Sequence, residues 1–118
     1  MQSSVISMSE HPAALPRIGY SAPELIVSGD PVEYGHVHYA DELQRTVAGI
    51  WESEAGTLRF ESYPFDEFCY VLAGRIGLTE AEGQRQEFGP GQAFFIRKGF
   101  KGEWSMPERT RKYYVECR

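Results

Sequence analysis

Residues 67–76 read EFCYVLAGRI, and this stretch decides how the rest of the chain is parsed. One acidic residue opens a run of six apolar or aromatic residues, and Gly74 closes it. A run of that length bounded by a turn signal is a buried strand. Side chains alternate along a strand, so Glu67 and Cys69 share a face. Working outward, TVAGIWES (46–53) precedes the turn EAG, and TLRFESY (57–63) precedes the turn PFD. Beyond the central strand come IGLTE (76–80), RQEF (85–88), AFFI (93–96), EWSM (103–106) and RKYYVEC (111–117). The segments AGR, AEGQ, GPGQ, RKGFKG and PERT separate them. Short strands punctuated by Gly, Pro and Asp at intervals of about eight to twelve residues predict an all-β sandwich or barrel. No segment carries a sustained helical period.

The bulk properties agree. At 118 residues the chain holds one domain and one core. Seven Tyr, seven Phe and two Trp suit strands and pocket walls, and twelve Gly with seven Pro suit a fold with many turns. The net charge of −5 argues against nucleic acid or an anionic membrane surface as the partner, because both need a basic footprint. No stretch is long enough to span a membrane. The N-terminus lacks a basic region and is broken by Glu10, His11 and Pro12, so no signal peptide is read and a cytoplasmic location is expected. Cys69 and Cys117 form neither a disulfide framework nor a metal knuckle. Residues 1–17 read as a flexible tail and 18–118 as a single domain. Within it, 18–45 carries turn signals at Pro23, Gly29-Asp30 and Pro31 and is expected as an N-terminal arm or irregular strand.

Glu67, six residues, Gly74 is followed at short distance by Gly91, five residues, Arg97-Lys98-Gly99. This pair resembles the two signature motifs of the cupins. GIWESEAG, DEFCYVLAGRIGLTE, FGPGQAFFIRKGFKGEW and RKYYV look like the small single-domain cupins (RmlC-like) related to the cupin domain of (S)-ureidoglycine aminohydrolase. Ethanolamine-utilisation cupins resemble it at greater distance. The resemblance covers residues 46–116. It implies a double-stranded β-helix, a jelly-roll barrel with a mouth at one end. It also implies, for metal-binding members, one divalent ion held by two His and the Glu of the first motif with the His of the second.

Here that ligand set is dismantled. Counted back from Glu67, the two His positions fall on Glu61 and Tyr63, or on Phe60 and Ser62 with a gap one residue longer. In the second motif Gly102 stands at the His position, Arg97 at the Pro position and Met106 at the Asn position. Related aminohydrolases carry Glu-x-His-x-x-x-His, and this chain reads Glu61-x-Tyr63-x-x-x-Glu67. Carboxylates and a phenol suit a weakly held Mg²⁺ or Ca²⁺ better than a transition metal. No cofactor is therefore expected beyond a weakly bound divalent ion. A second candidate is EYGHVHYADEL (33–43), where His36, His38 and Glu42 repeat the first motif's spacing. The LQRTVA that follows is too polar for the buried strand, so both histidines are read as peripheral, unless the arm folds over the mouth and delivers one.

The candidate ligand-binding residues are Glu61, Tyr63, Glu67, Cys69, Lys101 and Trp104, with Glu67 and Tyr63 as candidate acid and base. Burial would raise the Glu67 carboxyl toward a working range; the alternative is a structural bond to backbone or to Lys101. Cys69 is read as a buried, inert thiol, Lys101 and Arg97 as turn charges near the mouth, and Trp104 with Tyr113 or Tyr114 as core or pocket wall. Two functions stay open: binding of a small organic molecule without turnover, or an enzyme acting on a ureide or amino-acid-like substrate. A homodimer is expected from the open sheet edge.

Overall fold

The computed structural model describes residues 3–9, 14–20 and 22–118; parts of the expected tail, residues 1, 2 and 10–13, lie outside the described residues, as does residue 21. Eleven strands are described: β1 Arg17–Gly19, β2 Ile26–Gly29, β3 Glu33–Ala40, β4 Thr46–Ser53, β5 Gly56–Phe60, β6 Asp66–Ala73, β7 Ile76–Glu80, β8 Arg85–Phe88, β9 Ala93–Ile96, β10 Gly102–Met106 and β11 Thr110–Cys117. They form two antiparallel sheets, one ordered β1-β3-β4-β11-β6-β9 and the other β2-β5-β10-β7-β8. Sequential strands switch between sheets, as a jelly roll requires.

Strands β4, β7, β8 and β9 begin and end where the turn signals place them. Residues 18–45 are more regular than their punctuation suggests. Glu33–Ala40 forms a full strand on β4, with a bulge between Val37 and Tyr39, and Ile26–Gly29 joins the opposite sheet beside β5. The arm thus contributes to both sheets.

The core lies between the sheets. From β6 come Glu67, Cys69 and Val71, from β9 Phe94 and Ile96, and from β10 Trp104 and Met106. Ile76, Leu58, Phe60 and Phe100 pack on this cluster. Burying each of the large apolar side chains among these contributes about 1.5–3 kcal/mol. The outward face of the larger sheet is also apolar. Phe95, Phe68, Val115 and Ala48 stand opposite one another across four strands, and Tyr70, Tyr113 and Ile50 form the next row. Phe95 is 57% exposed.

Two glycines fix the barrel's turns. Gly74 ends β6 with a φ of 82°, and a Cβ there would collide with the Arg109 carbonyl oxygen and the Thr110 hydroxyl. The Arg75 amide donates to that hydroxyl at 3.2 Å, which clamps the turn to the start of β11. Gly102 has a φ of 157°, and a Cβ there would meet the Thr79 carbonyl oxygen and Phe100 Cζ, the latter at 2.9 Å. Gly74→Ala should therefore lose at least about 2 kcal/mol in chemical denaturation, combining backbone strain with backbone collision. A loss within about 0.5 kcal/mol, the level of an ordinary surface change, would contradict this role.

Candidate functional site

The site is assembled from β6, β10, β11 and the loop between β5 and β6. On β11 the inward side chains are Lys112, Tyr114 and Glu116; Tyr114 faces Cys69 and Glu116 faces Glu67 in the ladder. Trp51 on β4 lies opposite Lys112. The loop carries Tyr63, whose backbone is fixed by two bonds: its amide to the Phe100 carbonyl and the Gly99 amide to its own carbonyl, each 2.8 Å.

These elements bury an ion pair. Glu67 is 2% exposed and Lys112 5%, and the Lys112 ammonium bonds Glu67 Oε2. The Tyr63 hydroxyl donates to Glu67 Oε1 at 2.7 Å, and the Cys69 thiol donates to Oε2 at 2.9 Å. Lys112 Nζ also reaches Cys69 Sγ at 3.4 Å. Three aromatic rings surround the ammonium: Trp104 at 4.8 Å, Trp51 at 4.9 Å and Tyr114 at 5.5 Å. Each adds a cation–π attraction that strengthens where water is excluded.

The protonation states follow. Burial alone would raise the Glu67 carboxyl, but Lys112, Cys69 and Tyr63 together hold it below the ordinary carboxylate range. Burial works against the Lys112 ammonium too, yet the Cys69 sulfur and the Glu67 carboxylate outweigh it and raise its pKa. Burial pushes the Cys69 thiol far up, so it stays protonated and Glu67 supplies the countercharge. Burial, then the charge of Glu67, raises the Tyr63 phenol well above its ordinary value.

Above the pair opens a cavity of about 710 Å³ walled by Trp51, Leu58, Phe60, Tyr63, Trp104 and Tyr114. Glu33 lines it and accepts the Trp51 indole N–H at 2.8 Å. Glu116, raised by burial, pairs with Arg118 at 2.7 Å, and that guanidinium lies 5.1 Å over Phe65. Ile18, Ala22 and Leu25 of the N-terminal segment also line the cavity. The arm does reach the mouth, and brings apolar side chains.

Tyr63, Glu67, Cys69 and Trp104 of the expected site residues come together. Glu61 and Lys101 do not join them: their side chains are 78% and 63% exposed and pair with each other at 3.6 Å. Glu61 only borders the cavity. Lys101 is thus not the partner of Glu67, and Glu67 is lowered rather than raised, both because Lys112 sits between β6 and the rings. Sequence reasoning passed over Lys112. The available signal was alternation: Lys112, Tyr114 and Glu116 share one strand face, next to the strand of Glu67. His36 and His38 lie on β3 with their rings edge-to-face at 4.8 Å, and neither lines the cavity. His38 Nε2 meets the Ser9 carbonyl at 3.2 Å. Cys69 is buried and Cys117 exposed, and both are free thiols.

The residues do not fit a transition metal. Ligands must bind deprotonated, and Cys69 keeps its proton. Both Glu67 oxygens are already taken, Oε2 by the Lys112 ammonium and Oε1 by the Tyr63 hydroxyl. At the second-motif position the backbone of Gly102 leaves no room for a histidine. Among the described residues no group of three or more His, Cys, Asp and Glu could hold an ion.

A two-sheet jelly roll with this mouth-facing site defines a small cupin. A family model described as the EutQ-like cupin domain matches residues 40–114, and the chain belongs to that family. The match thus falls on the ethanolamine-utilisation group, which the motif wording placed further away. The chain is similar to the Clostridium difficile EutQ protein, with 27% identity over 74% of this chain and 68% of that one at a TM-score of 0.64. A Pseudomonas syringae protein of unknown function from the DUF861 family superposes at 0.81 with 20% identity; the alignment covers 89% of this chain and 45% of that one. The polyketide cyclase RemF of Streptomyces resistomycificus shares the fold at 0.64 and 21% identity, covering 99% of this chain and 80% of that one. No curated protein matches the sequence. No helix among the described residues is long and apolar enough to cross a membrane.

Glu67→Gln should cost about 3–5 kcal/mol, because it leaves the Lys112 charge buried without a counterion. The pH profile carries the same signature. The folded Glu67 pKa lies below its unfolded value, so its contribution is complete above about pH 4.3 and lost as pH falls through the lowered folded value. The folded Lys112 pKa lies above its unfolded value, so its contribution is complete below about pH 10.4 and lost as pH rises through the raised one. Denaturation across pH should show a plateau between, and Glu67→Gln should flatten the acid limb. An unchanged acid limb in the variant would contradict the pairing.

Proposed function

We propose that this EutQ-like cupin binds a small, flat, uncharged organic molecule in its mouth and does so without a transition metal. One observation carries the reading: an aromatic cavity of about 710 Å³ stands directly over a buried pair whose charges are already balanced. Apolar walls with a few convergent polar groups are the ordinary form of a small-molecule site. Glu67 accepts three donors in place, so it is poorly suited to accept a proton from a substrate.

A second reading is an enzyme on a ureide or amino-acid-like substrate, of the kind the likeness to (S)-ureidoglycine aminohydrolase cupins suggests. The contact of the Tyr63 hydroxyl with Glu67 at 2.7 Å favours it, since the two form a proton-sharing pair at the cavity wall. The lowered Glu67 carboxyl counts against it. The exposed side chains of Phe68, Tyr70 and Phe95 on the outer sheet face support a homodimer, and a cytoplasmic location suits the free thiols.

The chain's two tryptophans, Trp51 and Trp104, both line the cavity. A fluorescence screen of planar amides, ureides and aromatic carboxylates should find saturable changes in emission with the uncharged compounds, and recovery of those compounds unchanged. Emission indifferent to the whole set would contradict the binding reading, and conversion of a hit would favour the enzyme. Light scattering should give twice the 13.4 kDa chain mass; a monomer at high concentration would contradict the dimer.

A further inference from the structure

We propose that the Lys112 ammonium is a built-in cation standing where a divalent ion would sit in a metal-binding cupin, and that its uncommitted N–H holds a carbonyl oxygen of the bound molecule. This rests on the ligand-binding reading for the second half and on the site's own geometry for the first.

Of the four motif positions implied as metal ligands, three cannot serve here. Glu61 is turned out to Lys101, Gly102 has no side chain and no room for one, and the Tyr63 hydroxyl is spent as a donor to Glu67. Glu67 remains at the motif's glutamate position, and what its Oε2 meets is Lys112 Nζ. The cation that balances this carboxylate is therefore covalently part of the chain. It needs no loading, cannot be chelated away, and has no redox chemistry. The rings of Trp51, Trp104 and Tyr114 cage it, from positions other than those of the motif histidines.

An ammonium has three N–H donors. One goes to Glu67 Oε2 and one toward Cys69 Sγ. For the third, no oxygen, nitrogen or sulfur acceptor stands among the described residues, and Lys112 itself lines the cavity. A second buried donor in the same wall, Trp104 Nε1, also lacks a partner. An unmet buried donor is destabilising, and an acceptor on a ligand would recover the missing bond. Charge selects the acceptor. Glu67 balances Lys112 and Glu116 balances Arg118, so the pocket has no surplus positive charge for an anion. An uncharged carbonyl, as in an amide, ureide or ketone, fits this balance, and the rings favour a flat carrier.

Two measurements test the halves separately. The first uses Co²⁺ alone, read by visible absorption. The parent protein should show no cobalt bands, whereas Lys112→His, which exchanges the cation for an imidazole beside Glu67 and Cys69, should bind Co²⁺ about tenfold or more tightly. Parent protein with the same bands, or a folded Lys112→His with no gain, would overturn the replacement. If that variant does not fold, the unaltered protein still decides. Its lysines are Lys98, Lys101 and Lys112, of which only the last is buried. Proton–nitrogen NMR should then show one slowly exchanging ammonium, displaced by the surrounding rings; its absence overturns the proposal. The second adds benzamide as the uncharged carbonyl probe, with benzoate for comparison. Benzamide should move both tryptophan emission and the ammonium signal, and benzoate should move them less. Emission that changes while the ammonium signal stays fixed overturns the oxygen-holding role and leaves the binding reading standing. If neither signal moves with benzamide, the oxygen-holding role falls as well, and cobalt then judges the replacement alone.

Discussion

Two opposite charges buried side by side, Glu67 and Lys112, set the terms for everything around them. Removing either ion from water costs several kcal/mol, and only close pairing with further hydrogen bonds makes the arrangement tolerable. The chain meets that demand completely on the carboxylate side. Tyr63, Cys69 and Lys112 reach it from a loop and two adjacent strands. On the ammonium side it uses aromatic faces, which attract a cation while remaining apolar enough to line a pocket. The result is a charged centre that is electrically closed and chemically quiet. That combination suits recognition of an uncharged molecule better than proton transfer.

The fold exists in a form that can supply this centre. Antiparallel pairing of β6 with β11 brings Lys112 within reach of Glu67 across the ladder, although 45 residues separate them in sequence. The turn at Gly74 anchors β6 to the start of β11, and past a register shift between Arg111 and Lys112 the ladder runs regularly from Lys112 opposite Val71 to Cys117 opposite Asp66. The lack of imidazoles at the motif positions and the presence of the buried lysine are consistent with each other. With no imidazole at the mouth, a carboxylate left alone there would have protonated or demanded a counterion, and the lysine is that counterion.

The strands from Thr46 onward were legible because turn residues mark nearly every boundary and because each strand alternates or is continuously apolar. Residues 18–45 were less so, because Gly29, Asp30 and Pro31 look like loop chemistry, while Ile26–Gly29 in fact pairs with β5 and the strand that follows pairs with β4 through a bulge between Val37 and Tyr39. At the site, the inward positions of β6 could be read from alternation, and Trp104 and Tyr63 followed from the motif frame. Glu61 and Lys101 were misplaced because spacing cannot tell which face a residue takes at a strand end. Lys112 was missed for a physical reason. A lysine beside an arginine on a terminal strand normally points to water, and its burial here depends on Glu67 across the ladder together with the packed rings of Trp51, Trp104 and Tyr114. That is information from tertiary structure.

The central claim, that Glu67 and Lys112 act as one unit, is tested most directly by a double-mutant cycle with Glu67→Gln, Lys112→Met and the two combined, read as unfolding free energies. The account predicts strong non-additivity: the double variant should be more stable than the sum of the single losses implies, by about 2 kcal/mol or more. Losses that add to within about 0.5 kcal/mol would mean the two groups are energetically independent, and the account would be wrong.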